Sequence, residues 1–177
     1  IWIDSSRTSI CCAASSSFCC ARDPDVQDFL LRTAIPYEKA NKARTYLIID
    51  LPSNRDREPA IIAYFSIALK CFHIGDGVSV TMKRRLNGIF QNDILPCYLL
   101  GQVEKNDRYD DMIKGKEIVD LALNIVLDAH ELVGGRFISA DCKDSDGLLR
   151  FYRDSGFTVL PSGDGRDESL SDRGVGP

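Results

Sequence analysis

The chain has 177 residues, of which 44% are hydrophobic and 27% are charged, and its formal net charge at pH 7 is −4. These values are ordinary for a globular protein, and the length suits one domain whose core needs neither disulfides nor a metal. The negative charge excludes a general attraction to nucleic acid, although a local basic patch stays open. No apolar run reaches the roughly 18 residues of a membrane helix. Since no signal-peptide pattern opens the chain either, we expect a cytoplasmic protein with no membrane partner.

The cysteines and histidines do not have the spacing of a metal site. Of the seven cysteines, Cys11-Cys12 and Cys19-Cys20 are adjacent pairs and lack the two-residue gap of a zinc knuckle. The two histidines, His73 and His130, lie far from these pairs. We therefore expect no bound metal, and reduced, mostly buried thiols.

Composition divides the chain into three parts. Residues 1–17 are rich in Ser, Cys and Ala and are left unassigned, although a short strand around Ser17–Cys20 is open. Residues 18–160 carry alternating helix and strand patterns and are predicted to form one domain. Residues 161–177 are mostly Gly, Ser, Asp and Arg without a strand pattern, which predicts a flexible tail.

The first half of the domain begins with two helices. Asp23-Pro24 is a helix start, with a capping acid followed by proline at the first helical position. Pro36 is expected to break or kink this helix before a second short one that runs to Ala43. Apolar periodicity and β-branched content then predict the following elements: strands at Thr45–Asp50 and Ala60–Leu69 as an antiparallel hairpin, a turn region at Phe72–Gly77, a weak helix at Val80–Phe90, and a strand at Pro96–Val103.

The second half is dominated by a long helix. Gly115–Val133 carries a wide apolar face of the kind that packs on a sheet, and Gly134-Gly135 ends it. Three elements follow: a strand at Arg136–Ala140, a helix capped by Asp144-Ser145-Asp146, and a strand at Phe157–Leu160. The order is typical of an α/β layer domain in which the long helix crosses between strands.

The stretch from Leu148 to Phe157 contains the sequence LLRFYRDSGF. It predicts a short helix that presents Tyr152, stops at Gly156 and re-enters a strand at Phe157. A phenol held there can serve as an acid beside a reacting group. The alternative, a buried aromatic residue at a helix end, stays open on this stretch alone.

This stretch and two others together resemble the GCN5-related N-acetyltransferase (GNAT) family. The other two are residues 63–69 (AYFSIAL) and 98–103 (YLLGQV), and the resemblance spans roughly Phe18 to Leu160. It is closest to bacterial members whose N-terminus reads F-x-C before a D-F-L helix, here Phe18, Cys20 and Asp28-Phe29-Leu30. Some of those relatives are acetyltransferase toxins of toxin–antitoxin pairs. The resemblance implies an α/β fold with a GNAT-like mixed central sheet flanked by helices, in a single α/β/α layer domain.

The resemblance also implies acetyl-CoA as co-substrate. Its pyrophosphate needs backbone N–H donors at a helix N-terminus, which the resemblance assigns to Lys114, Gly115 and Lys116, with Arg108 as a further positive charge. The pantetheine arm would pair with the backbone of a splayed strand end, at Gln102, Val103 and Glu104. The alternatives are an ordinary solvated helix start and a fully paired core strand.

The sequence departs from the family's R/Q-x-x-G-x-G/A pattern at two positions. Met112 stands where Arg or Gln is expected, whereas Gly115 keeps the first glycine. Glu117 replaces the final small residue, and its carboxylate would repel a pyrophosphate if it pointed inward. The loop Asn106–Ile113 is also longer than usual. These departures weaken the expectation that the chain binds coenzyme A with the affinity usual in the family.

Two residues are assigned catalytic roles by the resemblance. Tyr152 would protonate the departing thiolate, and Glu104 would take the amine's proton, directly or through water. The alternatives for Glu104 are a solvated surface charge and a reaction without a dedicated base, as in many relatives. His73, which would border the acceptor site, is either a second candidate base or simply polar surface. His130 is assigned no chemistry. Cys142 is expected to pack rather than react, so no acyl-enzyme is expected.

Three functional readings follow. The first is an N-acetyltransferase that moves an acetyl group to an unidentified primary amine by direct transfer in a ternary complex. The second is a toxin that acetylates aminoacyl-tRNA, with tRNA and an antitoxin as partners; Lys83-Arg84-Arg85 would hold the anionic acceptor or form a solvated helix face. The third is a non-catalytic module that binds acyl-CoA or a protein. The resemblance to the family also implies a homodimer. The strand that usually closes this fold would be absent, irregular, or supplied by a partner chain.

Overall fold

The structure is a computed structural model that describes residues 18–51, 59–89, 92–143, 145–160 and 169–174, the last of these as backbone only. Predictions for residues 1–17 and for most of the hairpin loop lie outside the described residues. None of the described helices is long and apolar enough to cross a membrane. The described residues form two compact units: unit 1 contains those within residues 1–67 and 102–122, and unit 2 contains those within residues 68–101 and 123–177.

The N-terminal helices begin as predicted but are joined differently. Helix α1 spans Pro24–Asp28, and the Asp23 carboxylate accepts a hydrogen bond from the Asp25 N–H at 3.2 Å. A π-helical turn follows at Phe29–Thr33, and α2 spans Ala34–Lys39. Pro36 was predicted to break or kink the first helix, but it lies within α2. Proline cannot donate to the carbonyl four residues back, and the widened turn lies directly upstream of it.

The strands and remaining helices follow in chain order. Strands are β1 (Ala43–Asp50), β2 (Ala60–His73), β3 (Ile94–Lys105), β4 (Phe137–Asp141), β5 (Thr158–Leu160) and β6 (Ser169–Gly174). Helices are α3 (Val80–Asn87), α4 (Gly115–Val133) and α5 (Asp146–Asp154). The short strand left open around Ser17–Cys20 is not found at residues 18–20, which are irregular, whereas Ser17 lies outside the described residues. The predicted turn region Phe72–Gly77 begins two residues too early, because β2 continues to His73 and the turn follows it.

The strands form one mixed sheet in the order β1-β2-β3-β4-β6-β5. Strand β3 pairs parallel with β4 from Tyr98 opposite Ile138 to Leu100 opposite Ala140. The crossover between them contains α4, whose bounds agree with the prediction. This mixed sheet flanked by helices confirms the predicted fold class.

Strand β6 corrects the prediction that residues 161–177 contain no strand. It pairs antiparallel with β4 and with β5, and therefore lies between them. The sequence SLSDRG has no apolar alternation. Pairing on both edges can satisfy the backbone without that side-chain pattern. The closing strand is thus supplied by this chain itself.

Each unit has its own hydrophobic cluster. The unit 1 cluster unites the F-x-C and D-F-L residues with the sheet; its members are Phe18, Cys20, Leu30, Ala34, Leu47, Ile61 and Tyr64. Phe18 packs edge-on against Tyr64 with ring centroids 5.4 Å apart. The unit 2 cluster comprises Phe72, Ile74, Val78, Leu86, Leu95, Cys97, Phe137 and Leu160. The described cysteines are free thiols, and among them Cys71 is exposed.

Candidate functional site

The C-terminal half of β3 continues beyond its pairing with β4. The pairing ends at Leu100, whereas β3 runs on to Lys105. Among the residues that the structure describes, this half of β3 has no partner residue in β4. A parallel neighbour on that edge would take up backbone hydrogen bonds. One edge of β3 is therefore open in the region where the sequence predicted a splayed strand end.

Two hydrogen bonds fix the other edge of this half-strand to β2. The Asn106 N–H donates to the Ile62 carbonyl at 2.8 Å, and the Gln102 N–H donates to the Ser66 Oγ at 2.9 Å. The partners run in opposite directions, so the strands are antiparallel here. Backbone groups alternate between the two edges of a strand. The Gln102 N–H is therefore already used, whereas the backbone of Val103 faces the open edge.

The Glu104 side chain is partly shielded from solvent by neighbouring residues. The register set by these two bonds brings Glu104 opposite Tyr64, and the Glu104 side chain is half-buried. Its Oε1 accepts a hydrogen bond from the Lys105 N–H at 2.9 Å. Burial raises the pKa of Tyr64, and the charge of Glu104 raises it further. The Tyr64 hydroxyl donates a hydrogen bond to the Val26 carbonyl at 2.5 Å.

The thiol of Cys20 is buried in the unit 1 cluster. Burial raises the pKa of this thiol to about 11, and the charge of Glu104 adds to the increase. A hydrogen bond from the Asp23 backbone has the opposite effect on this pKa. The thiol is thus protonated at neutral pH.

Asn106 and Asp107, which the sequence analysis missed, hold the segment around Cys20. The Asn106 side chain accepts from the Cys19 N–H at 3.3 Å and donates to the Ile61 carbonyl at 2.8 Å. The Asp107 N–H donates to the Cys19 carbonyl at 2.8 Å, and its carboxylate accepts from the Ala21 N–H at 2.7 Å. The Asn-Asp pair after a strand was an available signal, because such residues bond nearby backbone groups.

The start of α4 is capped by its own glutamate. The Glu117 Oε2 accepts a hydrogen bond from the Lys114 N–H at 2.7 Å. The carboxylate that replaces the family's small residue is therefore turned back onto the first turn. Since the opening N–H groups of a helix have no acceptor within it, those of Gly115 and Lys116 point out of its N-terminus.

Positive charge at this helix start is smaller than the sequence indicates. The Lys116 ammonium contacts the Asp120 carboxylate at 2.7 Å, one turn along the same helix. The Lys105 ammonium contacts Asp110 at 2.5 Å and lowers the pKa of that exposed carboxyl. Lys114 and Arg108 are exposed, as is Met112 at the position where the family has Arg or Gln.

Tyr152 lies on α5 in unit 2, in the helix–glycine–strand turn that the sequence predicted. Its ring is 5% exposed and packs edge-on against Phe151 at 5.1 Å and Phe157 at 5.4 Å between centroids. Gly156 has a φ of +90°, which a side chain would strain. The Phe157 N–H donates to the Tyr152 carbonyl at 3.0 Å and closes the turn.

The predicted site residues are thus divided between the units. Gln102, Val103, Glu104, Lys114, Gly115 and Lys116 belong to unit 1, and Tyr152 belongs to unit 2. In unit 2, His73 is exposed at the end of β2, Cys142 is half-buried, and Arg84 and Arg85 are exposed on α3. His130 is half-buried on α4, and its Nδ1 has no hydrogen-bond partner within the described part of the chain. The described residues contain no group of side chains suited to hold a metal ion.

Comparisons with known proteins give matches among solved structures. No protein-family model and no curated protein matches the chain. A tyrosine-to-phenylalanine mutant of KacT matches with a TM-score of 0.73 and 18% identity, over 91% of this chain and 87% of that one. AtaT complexed with acetyl-methionyl-tRNAfMet matches with a TM-score of 0.71 and 17% identity, over 89% and 86%. AtaTR bound with acetyl-CoA matches with a TM-score of 0.67 and 18% identity, over 88% and 83%. At these identities the likeness shows a shared fold, and this chain therefore has the GNAT fold.

Proposed function

We propose that this chain is an acetyl-CoA-dependent N-acetyltransferase that moves an acetyl group to a primary amine by direct transfer in a ternary complex. The observation that carries the proposal is the open edge of β3 leading to a glycine at the start of α4. The chain shares its fold with AtaT, which has been solved with acetyl-CoA in the AtaTR structure. An open strand edge and a glycine helix start are what an extended pantetheine arm and a pyrophosphate require.

The residues of unit 1 fit acetyl-CoA with one restriction. The N–H groups of Gly115 and Lys116 bind the pyrophosphate, and the exposed Lys114 adds charge. The backbone of Val103, which faces the open edge, pairs with the pantetheine arm. Glu117 already occupies the Lys114 N–H at 2.7 Å. Its charge lowers the affinity, but its bond to Lys114 turns the carboxylate away from the two remaining donors.

The reaction requires one proton to leave the amine and one to reach the sulfur. The amine nitrogen attacks the thioester carbonyl, so that a C–N bond forms and the C–S bond breaks. Glu104 accepts the amine's proton, directly or through water, and the Tyr152 phenol donates a proton to the departing thiolate. A phenol is protonated at neutral pH and is therefore ready to donate. Structures of KacT and AtaT both carry a tyrosine-to-phenylalanine mutation.

Thermal unfolding with acetyl-CoA tests the cofactor assignment. Ligand at a hundredfold excess over its dissociation constant stabilises the wild type by about 2.7 kcal/mol. Gly115→Glu loses this effect, because its side chain and charge block the helix start. Gly147→Glu is the matched control, since a side chain there, in the first turn of α5, meets nothing within 4 Å. A wild type that acetyl-CoA does not stabilise at millimolar concentration contradicts the proposal.

The second candidate is a toxin that acetylates the amino group of aminoacyl-tRNA. Two observations favour it: Phe18, Cys20 and Leu30 of the F-x-C and D-F-L pattern share one buried cluster, and the fold matches AtaT complexed with acetyl-methionyl-tRNAfMet. The exposed Arg84 and Arg85 of α3 would then contact the tRNA phosphates. The antitoxin is expected as a second partner, since AtaT has been solved bound to the C-terminus of its antitoxin AtaR.

Growth on expression separates these candidates. Expression of the wild type arrests growth if the chain is such a toxin, and Tyr152→Phe relieves the arrest. Arrest that persists in Tyr152→Phe, or wild-type expression without harm, contradicts the toxin. A third outcome is stabilisation by acetyl-CoA without acetylation of any amine in a broad panel. The chain is then a non-catalytic module that binds acyl-CoA or a protein. Glu117, which replaces a small residue of the family's pattern, is the reason for considering this alternative.

A further inference from the structure

The open half of β3 is held to β2 by two side chains as well as by the backbone. At one end, the Gln102 N–H donates to the Ser66 Oγ at 2.9 Å, where an antiparallel ladder would offer a backbone carbonyl. At the other end, the Asn106 Nδ2 donates to the Ile61 carbonyl at 2.8 Å, beside the bond from the Asn106 N–H to the Ile62 carbonyl. Ser66 is 4% exposed and Asn106 is fully buried. The half-strand between them is therefore anchored at both ends by buried polar groups.

The anchors decide which backbone groups reach the open edge. The backbone of Gln102 faces β2, and backbone groups alternate along a strand, so those of Val103 and Lys105 face away from β2. The Lys105 N–H is already bonded to the Glu104 Oε1 at 2.9 Å. The backbone of Val103 is thus the part of this edge with which a pantetheine arm would pair.

Asn106 also connects the half-strand to the loop before α4. Its Oδ1 accepts hydrogen bonds from the Arg108 N–H at 3.2 Å and from the Cys19 N–H at 3.3 Å. Its carbonyl accepts from the Tyr109 N–H at 2.8 Å. One buried residue thus fixes the end of β3, the N-terminal segment and the start of the loop. Shortening the side chain of Asn106 disturbs all three, whereas shortening that of Ser66 releases the strand alone.

We propose that Ser66 and Asn106 are positioning residues for acetyl-CoA: they hold the open half of β3 on β2, so that the Val103 backbone is kept in place for the pantetheine arm. The inference rests on the proposed acetyltransferase function. A strand edge that is fixed before the ligand arrives avoids the entropy cost of ordering it during binding, and the difference is measured as affinity. Neither side chain takes part in proton transfer.

Isothermal titration with acetyl-CoA tests the inference without any need for catalysis. Ser66→Ala raises the dissociation constant about fivefold, the usual effect of one lost hydrogen bond, and Asn106→Ala raises it by at least as much. Gln27→Ala is the matched control and keeps the wild-type dissociation constant. It removes a bond of 2.8 Å to the Cys20 N–H, in the N-terminal segment and not in β3. The unfolding midpoint without ligand establishes that each variant is folded, and Ser66→Ala decides the test if Asn106→Ala is not.

Hydrogen exchange of the Val103 N–H locates the effect at the strand edge. In the wild type this amide exchanges more slowly when acetyl-CoA is bound, because the pantetheine arm covers it. At saturating acetyl-CoA the protection is smaller in Ser66→Ala, since an unanchored edge pairs less well, and it is unchanged in Gln27→Ala. A role in stability alone would lower the unfolding midpoint without changing this protection.

Steady-state kinetics gives the same separation in the active enzyme. The KM for acetyl-CoA rises in Ser66→Ala by about the same factor as the dissociation constant, whereas kcat at saturating acetyl-CoA stays within about twofold of the wild-type value. A fall in kcat with an unchanged KM would place Ser66 in the chemical step and overturn the positioning role.

The outcomes separate this inference from the proposed function. A wild type that does not bind acetyl-CoA overturns the proposed function, and the positioning role with it. A wild type that binds acetyl-CoA, together with a folded Ser66→Ala that binds it equally well, overturns the positioning role alone. Binding without protection of the Val103 N–H does the same, since the arm then lies elsewhere. Weaker affinity and smaller protection in Ser66→Ala, with neither change in Gln27→Ala, support the positioning role and the cofactor assignment on which it rests.

Discussion

Helices α4 and α5 begin in different ways. At the start of α5 the Ser145 hydroxyl accepts the Leu148 N–H at 3.3 Å, which is an ordinary N-terminal cap. At the start of α4 the N-cap position is Lys114, which has no oxygen to offer. The only side-chain bond described there comes from within the helix, where Glu117 accepts the Lys114 N–H at 2.7 Å.

The contrast shows which end of each helix is suited to function. The start of α5 is satisfied by a residue whose role is structural, and its candidate acid, Tyr152, lies in the last turn. The start of α4 combines glycine, an exposed lysine and N–H groups without an internal acceptor, while its last turn ends at two glycines. We therefore expect α4 to act through its beginning and α5 through its end.

The largest effect is expected from Tyr152→Phe at the end of α5. Loss of a positioned acid lowers kcat for acetyl transfer by about 10²-fold or more. The rings of Phe151 and Phe157 still have an aromatic partner, and the unfolding midpoint establishes that the variant is folded. Tyr37→Phe, which removes the hydroxyl of a half-exposed tyrosine packed on Phe29, is the control and keeps its activity. Equal kcat values for the two variants would contradict a role for Tyr152 as acid.

A smaller effect is expected from Ser145→Ala at the start of α5. Loss of the cap lowers the free energy of unfolding by about 1 kcal/mol, as measured by denaturant titration. Stabilisation by acetyl-CoA stays at its wild-type value. Ser79→Ala removes the equivalent bond to the Met82 N–H at the start of α3 and should behave in the same way. If Ser145→Ala weakens acetyl-CoA as strongly as Gly115→Glu does, the contrast between the two helix starts is wrong.

The smallest effect is expected from Glu117→Gln at the start of α4. The amide oxygen can still accept the Lys114 N–H, but the negative charge beside the pyrophosphate is gone. Affinity for acetyl-CoA by isothermal titration rises about threefold, which corresponds to the usual 0.3–1 kcal/mol of a charge at a helix end. Glu131→Gln, in the last turn of the same helix, leaves the affinity unchanged. A fall in affinity with Glu117→Gln would show that the carboxylate helps to hold the ligand.

The elements that the sequence predicted well are those whose side chains carry the pattern. The bounds of α4 follow from its helical apolar period and the two glycines after it, and the observed bounds Gly115–Val133 agree with them. The turn from Tyr152 to Phe157 was predicted from its glycine. The predicted fold class is confirmed, whereas the roles of Tyr152, Glu104 and Gly115 stay predictions.

The elements that were missed depend on partners distant in sequence. Strand β2 continues to His73 because it has sheet neighbours, although Leu69, Cys71 and His73 are exposed and do not carry a buried-strand pattern. The hydrogen bonds of Cys19 and Ala21 with Asn106 and Asp107 require the N-terminal segment to return to the end of β3. Asn106 supplies that connection from a fully buried position. The Asn-Asp pair in the sequence indicates bonds to backbone groups, but it does not reveal which distant segment it holds.

The position of β6 has a consequence for the order in which unit 2 is assembled. The sheet order places β6 between β4 and β5, so β5 reaches β4 only through a strand that is synthesised after both. During translation the turn that carries Tyr152 therefore leaves the ribosome before its strand β5 has a partner. The sheet pairing of β5 must then wait until Ser169–Gly174 has been synthesised, and a chain cut after Leu160 would leave β5 without its only neighbour among the described strands.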